Sequence, residues 1–360
     1  QAEDGIRDPD HSLVGSEMCI RDSWWDVWDH TDPMVGVDES EIAERLLAEL
    51  RTAVDYRKVS DVPVGVFLSG GIDSSTNAAL FSEGEGRPVR TFSIGYEGEY
   101  ESYQNELHWA RRMADEVGAE YHERLLTQDD LIDFLPEMVK LQDEPIADPV
   151  CVPVYYVSKL ARDNGVIVSQ VGEGADELFN GYPWWQQYLR LQQLDNLPLP
   201  RTVKGLALRG LRAMGRGDSR KYELLRRGAA GEQIFWSGAE AFVQSQKLDL
   251  MSPRLRDRFA GRTSWEVLAP THERYKQKAW ELSDLNWMTY ADLSHRLPEL
   301  LLMRVDKMSM GVSLEGRVPF LDHRFVELAM SIPTEMKLRD GTLKHILKRA
   351  VRGVIPDEMI

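Results

Sequence analysis

The sequence has few cysteines, no long apolar run and fewer basic than acidic residues. Two cysteines among 360 residues exclude a disulfide framework, so Cys151 is expected to be a small core residue. No apolar run reaches the ~18 residues that a membrane-spanning helix needs, and no basic-then-apolar leader is present. The 59 acidic residues exceed the 43 basic ones, and the formal charge of −16 disfavours bulk binding of nucleic acid. We therefore expect a cytoplasmic protein without a nucleic acid or a membrane as partner.

A short motif at residues 69–75, SGGIDSS, follows the apolar run 62–68. Paired glycines and hydroxyl side chains at the start of a helix leave backbone N–H groups free to bind an anion, so the motif predicts a phosphate-binding loop. The loop lacks the Lys-Ser/Thr ending of the Walker P-loop, which argues against ordinary kinase or GTPase chemistry. Asp73 adds a negative charge beside the phosphates, and that arrangement requires Mg²⁺ between them. The alternative is a Gly-Gly turn before a serine-capped helix.

A second glycine motif, GEGADELFNGY at residues 172–182, follows the strand-like run 166–171. It also predicts a turn that opens a helix. Glu173, Asp176 and Glu177 would lie at the electropositive end of that helix. Three acids at such a position indicate a metal ligand and a general base.

Strand-like runs alternate with helical patterns in the first half of the chain. The predicted strands are 62–68, 89–94, 120–125 and 166–171, and the predicted helices are 39–59, the one after Ser74, 105–117, 129–141 and 154–164. This alternation predicts an α/β fold, a parallel twisted sheet with helices on both faces that binds ligands at the carboxyl ends of its strands. From about residue 183 the pattern is mostly helical, with a strongly apolar helix at 293–310. Residues 1–23 show no period and look like translated sequencing adapters, so we expect an artefact or a disordered leader there.

A third motif, LMRVDKMSM at 302–310, continues into EGRVPFLD at 315–322. The first motif resembles the PP-loop of the ATP pyrophosphatases, and the three motifs together resemble the synthetase domain of glutamine-dependent asparagine synthetases from Trp24 onward. The resemblance implies a PP-loop, HUP-like fold, with an ATP-binding α/β part at about 37–190 and a helical part at 191–360. It also implies the use of ATP and Mg²⁺. In that family the side-chain carboxylate of aspartate attacks the α-phosphate of ATP, pyrophosphate leaves, and ammonia displaces AMP to give asparagine.

The resemblance also assigns roles to single residues. The residues implied to bind ATP and pyrophosphate are Leu68, Ser69, Gly70, Gly71, Asp73, Ser74, Ser75, Ile94, Val171 and Gly172. Asp73 and Asp176 are implied to hold Mg²⁺, whereas each alone also fits an N-cap aspartate. The implied catalytic residues are Glu173, which orients or deprotonates ammonia, Lys307, which faces substrate or phosphate, and Glu315, which assists Glu173 or forms a structural salt bridge. Asp306 and Arg317 are expected to form an internal ion-pair network.

Two features of the family are not found in the printed sequence. Members that hydrolyse glutamine begin with a catalytic cysteine on a separate glutaminase domain, which the residues before Trp24 could not form. The family continues into an R-x-K-x-G-F stretch with a catalytic lysine, and here Lys344 and Lys348 are expected to be surface or phosphate-facing instead. We therefore expect a truncated chain that binds Mg-ATP but makes little asparagine by itself. The expected partners are aspartate, ammonia from glutamine, the glutaminase domain of the same full-length chain and a second copy in a homodimer.

Other functions fit the same scaffold. The enzymatic alternative is a β-lactam synthetase or an amidotransferase that acts on another carboxylate; Glu173 favours asparagine, because a tyrosine at that position favours lactam closure. The non-enzymatic alternative is a catalytically incomplete ATP-binding module. The basic segment 196–231 is interpreted as a solvated or partner-facing helical face, with a nucleic-acid patch as the alternative.

Overall fold

The computed structural model describes residues 25–98, 106–142, 144, 146, 148–197 and 201–360. The expectations for residues 1–23 and for Trp24 lie outside this part of the chain. Within it, five parallel strands form a sheet in the order β3-β2-β1-β4-β5. The strands are β1 (Val64–Phe67), β2 (Arg90–Tyr96), β3 (Glu120–Leu126), β4 (Val168–Gln170) and β5 (Glu315–Arg317).

Successive side chains of the central strand β1 face opposite sides of the sheet, and helices cover both sides. Val66 packs into a core with Ile42 and Leu46, whereas Phe67 packs against a second core that contains Val157. The helices of this part are α1 (Glu39–Tyr56), α2 (Ile72–Ser82), α3 (Leu107–Glu116), α4 (Gln128–Leu141), α5 (Cys151–Asp163) and α6 (Ala175–Leu178). The predicted parallel sheet with helices on both faces is therefore confirmed.

The rest of the described chain is helical except for β5. Its helices are α7 (Trp185–Asp195), α8 (Arg201–Ala213), α9 (Arg220–Ala230), α10 (Gln244–Leu250), α11 (Pro253–Arg258), α12 (Trp265–Lys278), α13 (Asp284–Ala291), α14 (Met303–Met310), α15 (His323–Ser331), α16 (Thr334–Lys337) and α17 (His345–Ala350). Short 3₁₀ turns lie at Val27–Asp29, Pro319–Leu321 and Asp357–Met359. Because β5 comes from the segment assigned to the helical part, the sheet is built from both halves of the sequence.

The apolar segment 293–310 is helical as predicted, but it is not one α-helix. A π-helix spans Asp292–Leu302, and α14 begins at Met303. Pro298 lies inside the π-helix; it has no N–H to donate and its ring clashes with the preceding turn, so regular α-helical hydrogen bonding cannot continue through it. Leu297, Leu301 and Val305 are buried, in agreement with a core role.

Two further expectations concern the interior. Cys151 is fully buried at the start of α5, where its sulfur accepts a hydrogen bond from Gln142 Nε2 at 2.9 Å, as expected of a core cysteine. Among the described residues no helix has the length and apolar character needed to cross a membrane.

Candidate active site

The loops that follow the neighbouring strands β1 and β4 meet at one cleft, at the carboxyl ends of the strands. The cleft has a volume of about 330 Å³. Ten of the residues predicted from the sequence line this cleft: Leu68, Ser69, Gly71, Asp73, Ser74, Ile94, Val171, Gly172, Glu173 and Asp176. A larger cavity of about 820 Å³ beside Trp25 and Leu297 contains none of the predicted site residues. The chemistry of the motifs therefore converges on the smaller cavity.

The phosphate loop is held in shape by its own serines. Ser74 Oγ lies 2.9 Å from Ser69 Oγ and accepts a hydrogen bond from Ser69 N at 3.1 Å. Gly71 is the N-cap of α2, so the first N–H groups of that helix are directed to the cleft, as at other anion-binding helix starts. A Cβ at Gly172 would lie 3.3 Å from Ser74 N, so the two glycine motifs touch.

Two residues of the SGGIDSS motif that were implied to bind ATP, Gly70 and Ser75, do not line the cleft. Gly70 has φ of +90°, and a Cβ there would lie 2.8 Å from the backbone nitrogen of Ala110, so this glycine lets the loop pack against α3. Ser75 is fully buried, and its hydroxyl has no hydrogen-bond partner in the structure. Both residues act here through packing and loop shape.

Asp73 and Asp176 converge on the side chain of Lys344, which comes from the far end of the chain. Lys344 Nζ lies 2.5 Å from Asp73 Oδ2 and 2.6 Å from Asp176 Oδ1. Lys344 is buried, its backbone is left-handed with φ of 54°, and its N–H donates to Phe179 O at 3.1 Å. A Cβ at Gly181 would lie 1.8 Å from Asp176 Oδ1 and 2.2 Å from Lys344 Cε, so only glycine leaves room for this pair.

Burial and the neighbouring charges shift the pKa values of Asp73 and Lys344. Burial raises the pKa of Asp73, and the ammonium of Lys344 offsets only part of that increase. Burial alone would lower the pKa of Lys344, but the two neighbouring carboxylates together raise it. Lys344 is thus held in its charged form between Asp73 and Asp176. No sequence pattern predicted the contact between Lys344 and Asp73, because the two residues are 271 positions apart.

The cluster also fits a divalent cation bound with a nucleotide. Asp73 Oδ1 is buried and has no hydrogen-bond partner, so one carboxylate oxygen stays available. In the described part of the chain no three acidic, histidine or cysteine side chains are grouped as a metal site. A protein nevertheless usually supplies only one or two carboxylates to a Mg²⁺ ion that is bound with a nucleotide. The other ligands are phosphate oxygens and water.

Glu173 is held by an arginine that sequence analysis quoted only as part of a motif. Arg304 Nη2 lies 3.0 Å from Glu173 Oε1, and Arg304 Nη1 lies 2.7 Å from Asp148 Oδ2. Burial raises the pKa of Glu173, and Arg304 offsets part of that effect. Arg304 Nε is buried without a partner. The guanidinium therefore joins α14 to the second glycine motif and keeps one donor unused.

Glu315 is not part of this cleft, and its assignment as a partner of Glu173 is corrected. Glu315 pairs with Val168 at the amino end of β4, whereas Glu173 follows the carboxyl end of that strand. Its carboxylate lies 2.6 Å from Arg317 Nε. Glu315 thus forms a structural salt bridge, which was the alternative to a role in assisting Glu173. Arg317 therefore pairs with Glu315 and not with Asp306, which is exposed.

The remaining acid and base candidates, Lys307 and Glu177, are not among the residues that line the cleft. Lys307 is half-buried one helical turn after Arg304, outside the set of residues that line the cleft. Glu177 is buried and accepts a hydrogen bond from Tyr182 Oη at 2.6 Å. Arg296 Nη1 lies 3.6 Å from Glu177 Oε1, yet burial dominates and raises the pKa of Glu177 to about 7. Glu177 therefore supports the second motif from inside.

Apolar side chains also line the cleft. Three of the residues implied to bind ATP, Leu68, Ile94 and Val171, do so together with Phe92, Val150, Val154 and Val157. Ser93 Oγ donates to the carbonyl oxygen of Leu68, which fixes the end of β1. One end of the cleft is thus apolar and suited to a flat ring, and the other carries the N–H donors and charges.

Comparison with known proteins finds one matching family model and several curated relatives. The family model described as asparagine synthase matches residues 45–360. Asparagine synthetase [glutamine-hydrolyzing] 1 of Bacillus subtilis is 34% identical over 330 residues, which cover 91% of this chain and 49% of that protein. Asparagine synthetase [glutamine-hydrolyzing] 3 of the same organism is 31% identical over 375 residues, covering 99% of this chain and 53% of that protein.

A solved structure, the NH3-dependent NAD synthetase from Campylobacter jejuni, is 18% identical with a TM-score of 0.26 over 41% of this chain and 61% of that one. That likeness is too distant to add to the topology described above. The chain spans about half the length of the two Bacillus relatives. Since the family model covers residues 45–360 and both relatives exceed 30% identity, this chain belongs to the asparagine synthase family.

Proposed function

We propose that this chain catalyses ATP-dependent amide formation, in which the side-chain carboxylate of aspartate is adenylated and then attacked by ammonia. The observation that supports it most directly is the meeting of two strand-end loops at one cleft. One loop brings the serines and Asp73, and the other brings Glu173 and Asp176. Lys344 joins the two loops by pairing with Asp73 and Asp176. Hydrogen-bond donors for a phosphate, the ammonium of Lys344 and the candidate base Glu173 thus lie on two neighbouring loops.

In the first step the aspartate carboxylate oxygen forms a bond to the α-phosphorus of ATP. The bond from that phosphorus to the bridging oxygen breaks, and its electron pair leaves with pyrophosphate. The N–H groups at the start of α2 and the hydroxyls of Ser69 and Ser74 bind the leaving pyrophosphate, and the ammonium of Lys344 neutralises part of its charge. Asp73 and Asp176 would hold the Mg²⁺ that accompanies ATP, which supplies further charge neutralisation at the phosphates.

In the second step ammonia attacks the acyl carbon and AMP leaves, giving asparagine. The nitrogen loses a proton, and Glu173 is the carboxylate in the cleft that can accept it, since burial raises its pKa toward the range of an effective base. Arg304 fixes the direction of that carboxylate through its 3.0 Å contact. The half-buried cleft limits the access of water, which would hydrolyse the acyl-adenylate.

Ammonia is the proposed nitrogen donor at this site, and its source is glutamine hydrolysed by a glutaminase domain of the same full-length protein. That partner and a homodimer are carried over from the family. Lys307 does not line the cleft, and we propose that it helps to hold α14 in place, whereas Arg304 of the same helix contacts Glu173.

The test is the exchange of labelled pyrophosphate into ATP, measured with aspartate, glutamate or neither. We expect exchange that depends on Mg²⁺ and on aspartate, and AMP with pyrophosphate as the products once ammonium is added. Formation of ADP would contradict the proposed leaving group. Exchange that glutamate supports as well as aspartate would contradict the proposed substrate while leaving the adenylation step in place.

A further inference from the structure

Asp148 lies next to the cleft without being one of its lining residues, and both oxygens of its carboxylate make contacts. Oδ1 accepts a hydrogen bond from the N–H of Val150 at 2.9 Å, in the turn before α5. Oδ2 lies 2.7 Å from Arg304 Nη1, and the side chain of Asp148 is only 14% exposed. Val150 does line the cleft. Asp148 therefore connects one wall of the cleft to α14.

The packing of α14 against α5 brings Arg304 to Asp148. Met308 is fully buried and shares a core with Cys151 and Val152 at the start of α5. Arg304 precedes Met308 by one helical turn, and Asp148 precedes Val152 by the same number of residues, so the two charged side chains meet at one end of this interface. Arg304 is 7% exposed. Its guanidinium is thus held between two packed elements.

This one guanidinium serves two carboxylates. Its Nη1 binds Asp148, and its Nη2 lies 3.0 Å from Glu173 Oε1. Because both nitrogens belong to one planar group, the contact with Asp148 fixes the plane in which Arg304 meets Glu173. The charge of Arg304 is also shared, since the negative charge of Asp148 opposes the stabilisation that the cation gives to ionised Glu173.

We propose that Asp148 is a positioning residue for the second step of the reaction, which acts through Arg304 to fix the direction of Glu173 and to keep that carboxylate an effective base. This inference rests on the proposed function, in which Glu173 accepts the proton of the attacking nitrogen. Burial raises the pKa of Glu173, whereas Arg304 lowers it. Because Arg304 is shared with Asp148, Glu173 keeps more of the proton affinity that a general base needs.

Other charged groups also act on Glu173, and they come from α2, α6 and the π-helix. They are Asp73, Asp176, Glu177 and Arg296. Asp148 itself faces Arg304 and the buried thiol of Cys151. Burial and the negative charge of Asp148 raise the pKa of that thiol, so it stays neutral. Replacement of Asp148 by asparagine therefore removes one charge and leaves the others in place.

The experiment measures both steps in Asp148→Asn over a range of pH, in the full-length protein with ammonium as the nitrogen donor. Asparagine has the shape of aspartate, so the fold should persist, but the cation then acts on Glu173 alone. We expect amide formation to fall about tenfold and the acid limb of its pH profile to move about one pH unit lower, because Glu173 becomes a weaker base. Exchange of pyrophosphate into ATP should change by no more than a few-fold, since adenylation does not need the base.

Three further variants make the test specific. Arg304→Gln should move the acid limb to higher pH, because burial then acts on Glu173 without that cation. Asp148→Glu keeps the charge and should leave the acid limb where it is in the unchanged protein. Asp130→Asn is the matched control: Asp130 also accepts a backbone N–H at the start of a helix and lies 2.6 Å from an arginine, Arg124, but it does not line the cleft. It should alter neither step.

An acid limb that stays in place or moves to higher pH in Asp148→Asn would overturn the proposal, even if the rate falls. Equal losses in exchange and in amide formation would do so too, because a purely structural role predicts them. A shift to lower pH in Arg304→Gln would also contradict it, whether or not Asp148→Asn folds. Lack of exchange that depends on Mg²⁺ and aspartate in the unchanged protein would instead overturn the proposed function. Circular dichroism of each variant establishes that the fold is retained.

Discussion

The side-chain nitrogen of Lys344 lies 2.5 Å from Oδ2 of Asp73, although 271 residues separate them in the sequence. The same nitrogen lies 2.6 Å from Asp176 Oδ1. One ammonium at the start of α17 therefore ties together the loops after β1 and β4. Since Asp73 and Asp176 both contact this ammonium, it compensates part of the negative charge that the two carboxylates bring to the cleft.

Replacement of Lys344 by methionine should destabilise the protein, because it leaves two carboxylates facing each other in a mostly buried site. Removing one partner of a fully buried pair costs about 3 to 5 kcal/mol. Asp176 is 37% exposed, so we expect a loss of about 2 kcal/mol in the free energy of unfolding. The measurement is urea denaturation at pH 7, with Lys348→Met on the same helix as control. Equal stability of the two variants would show that the contact contributes nothing.

Lys337 provides the opposite case, a buried lysine that forms no ion pair with any residue the structure describes. Its nitrogen lies 3.9 Å from Met330 Sδ, and burial lowers the pKa of Lys337 from 10.5 to about 7. The unfolded chain binds the proton more tightly, so the native state gains stability as pH rises from about 7 to 10.5. Lys337→Met should remove that gain and raise the free energy of unfolding at pH 7 by about 2 kcal/mol or more.

The free energy of unfolding is measured for the unchanged chain and for Lys337→Met, at pH 7 and at pH 10. The difference between the two proteins at each pH isolates Lys337, since the other groups titrate equally in both. The difference should shrink at the higher pH. A methionine variant less stable than the unchanged chain at pH 7 would show that the ammonium has a favourable partner in the core.

Asp73→Asn and Asp176→Asn should each lower Mg²⁺-dependent exchange of pyrophosphate into ATP by about 10² or more, because a carboxylate that would hold the cation is lost. The fold should persist, since a neutral amide is easier to bury at position 73 than a carboxylate whose pKa burial already raises. Asp61→Asn, on an exposed turn before β1, is the control. Exchange at the unchanged rate in either variant would rule out the assignment of that carboxylate.

Glu173→Gln should separate the two proposed steps. Adenylation does not need the base, so pyrophosphate exchange should change by only a few-fold, whereas amide formation with ammonium should fall by about 10² to 10⁴. Glu315→Gln is the informative control, because Glu315 lies at the other end of the sheet and pairs with Arg317. Equal losses in both glutamine variants would restore Glu315 to the site.

The sequence determined the local features of this protein. Residues 69–75 and 172–182 each follow an apolar strand and open a helix, and these elements depend on side-chain period, glycine and capping residues that lie within a few positions of one another. Parallel strands bring the ends of β1 and β4 to the same edge, so the meeting of Asp73 and Asp176 near one cleft could also be predicted.

Only the tertiary structure decided which distant side chains complete the site. Arg304 and Lys344 reach Glu173 and Asp73 because α14 packs against α5 and β5 and α17 packs against α1. No periodicity in the sequence encodes such long-range packing. Register decided against Glu315, since pairing with Val168 puts it at the amino end of the strands. The local side-chain pattern specifies the helices and strands, whereas the packing of these elements against one another determines which distant side chains come into contact.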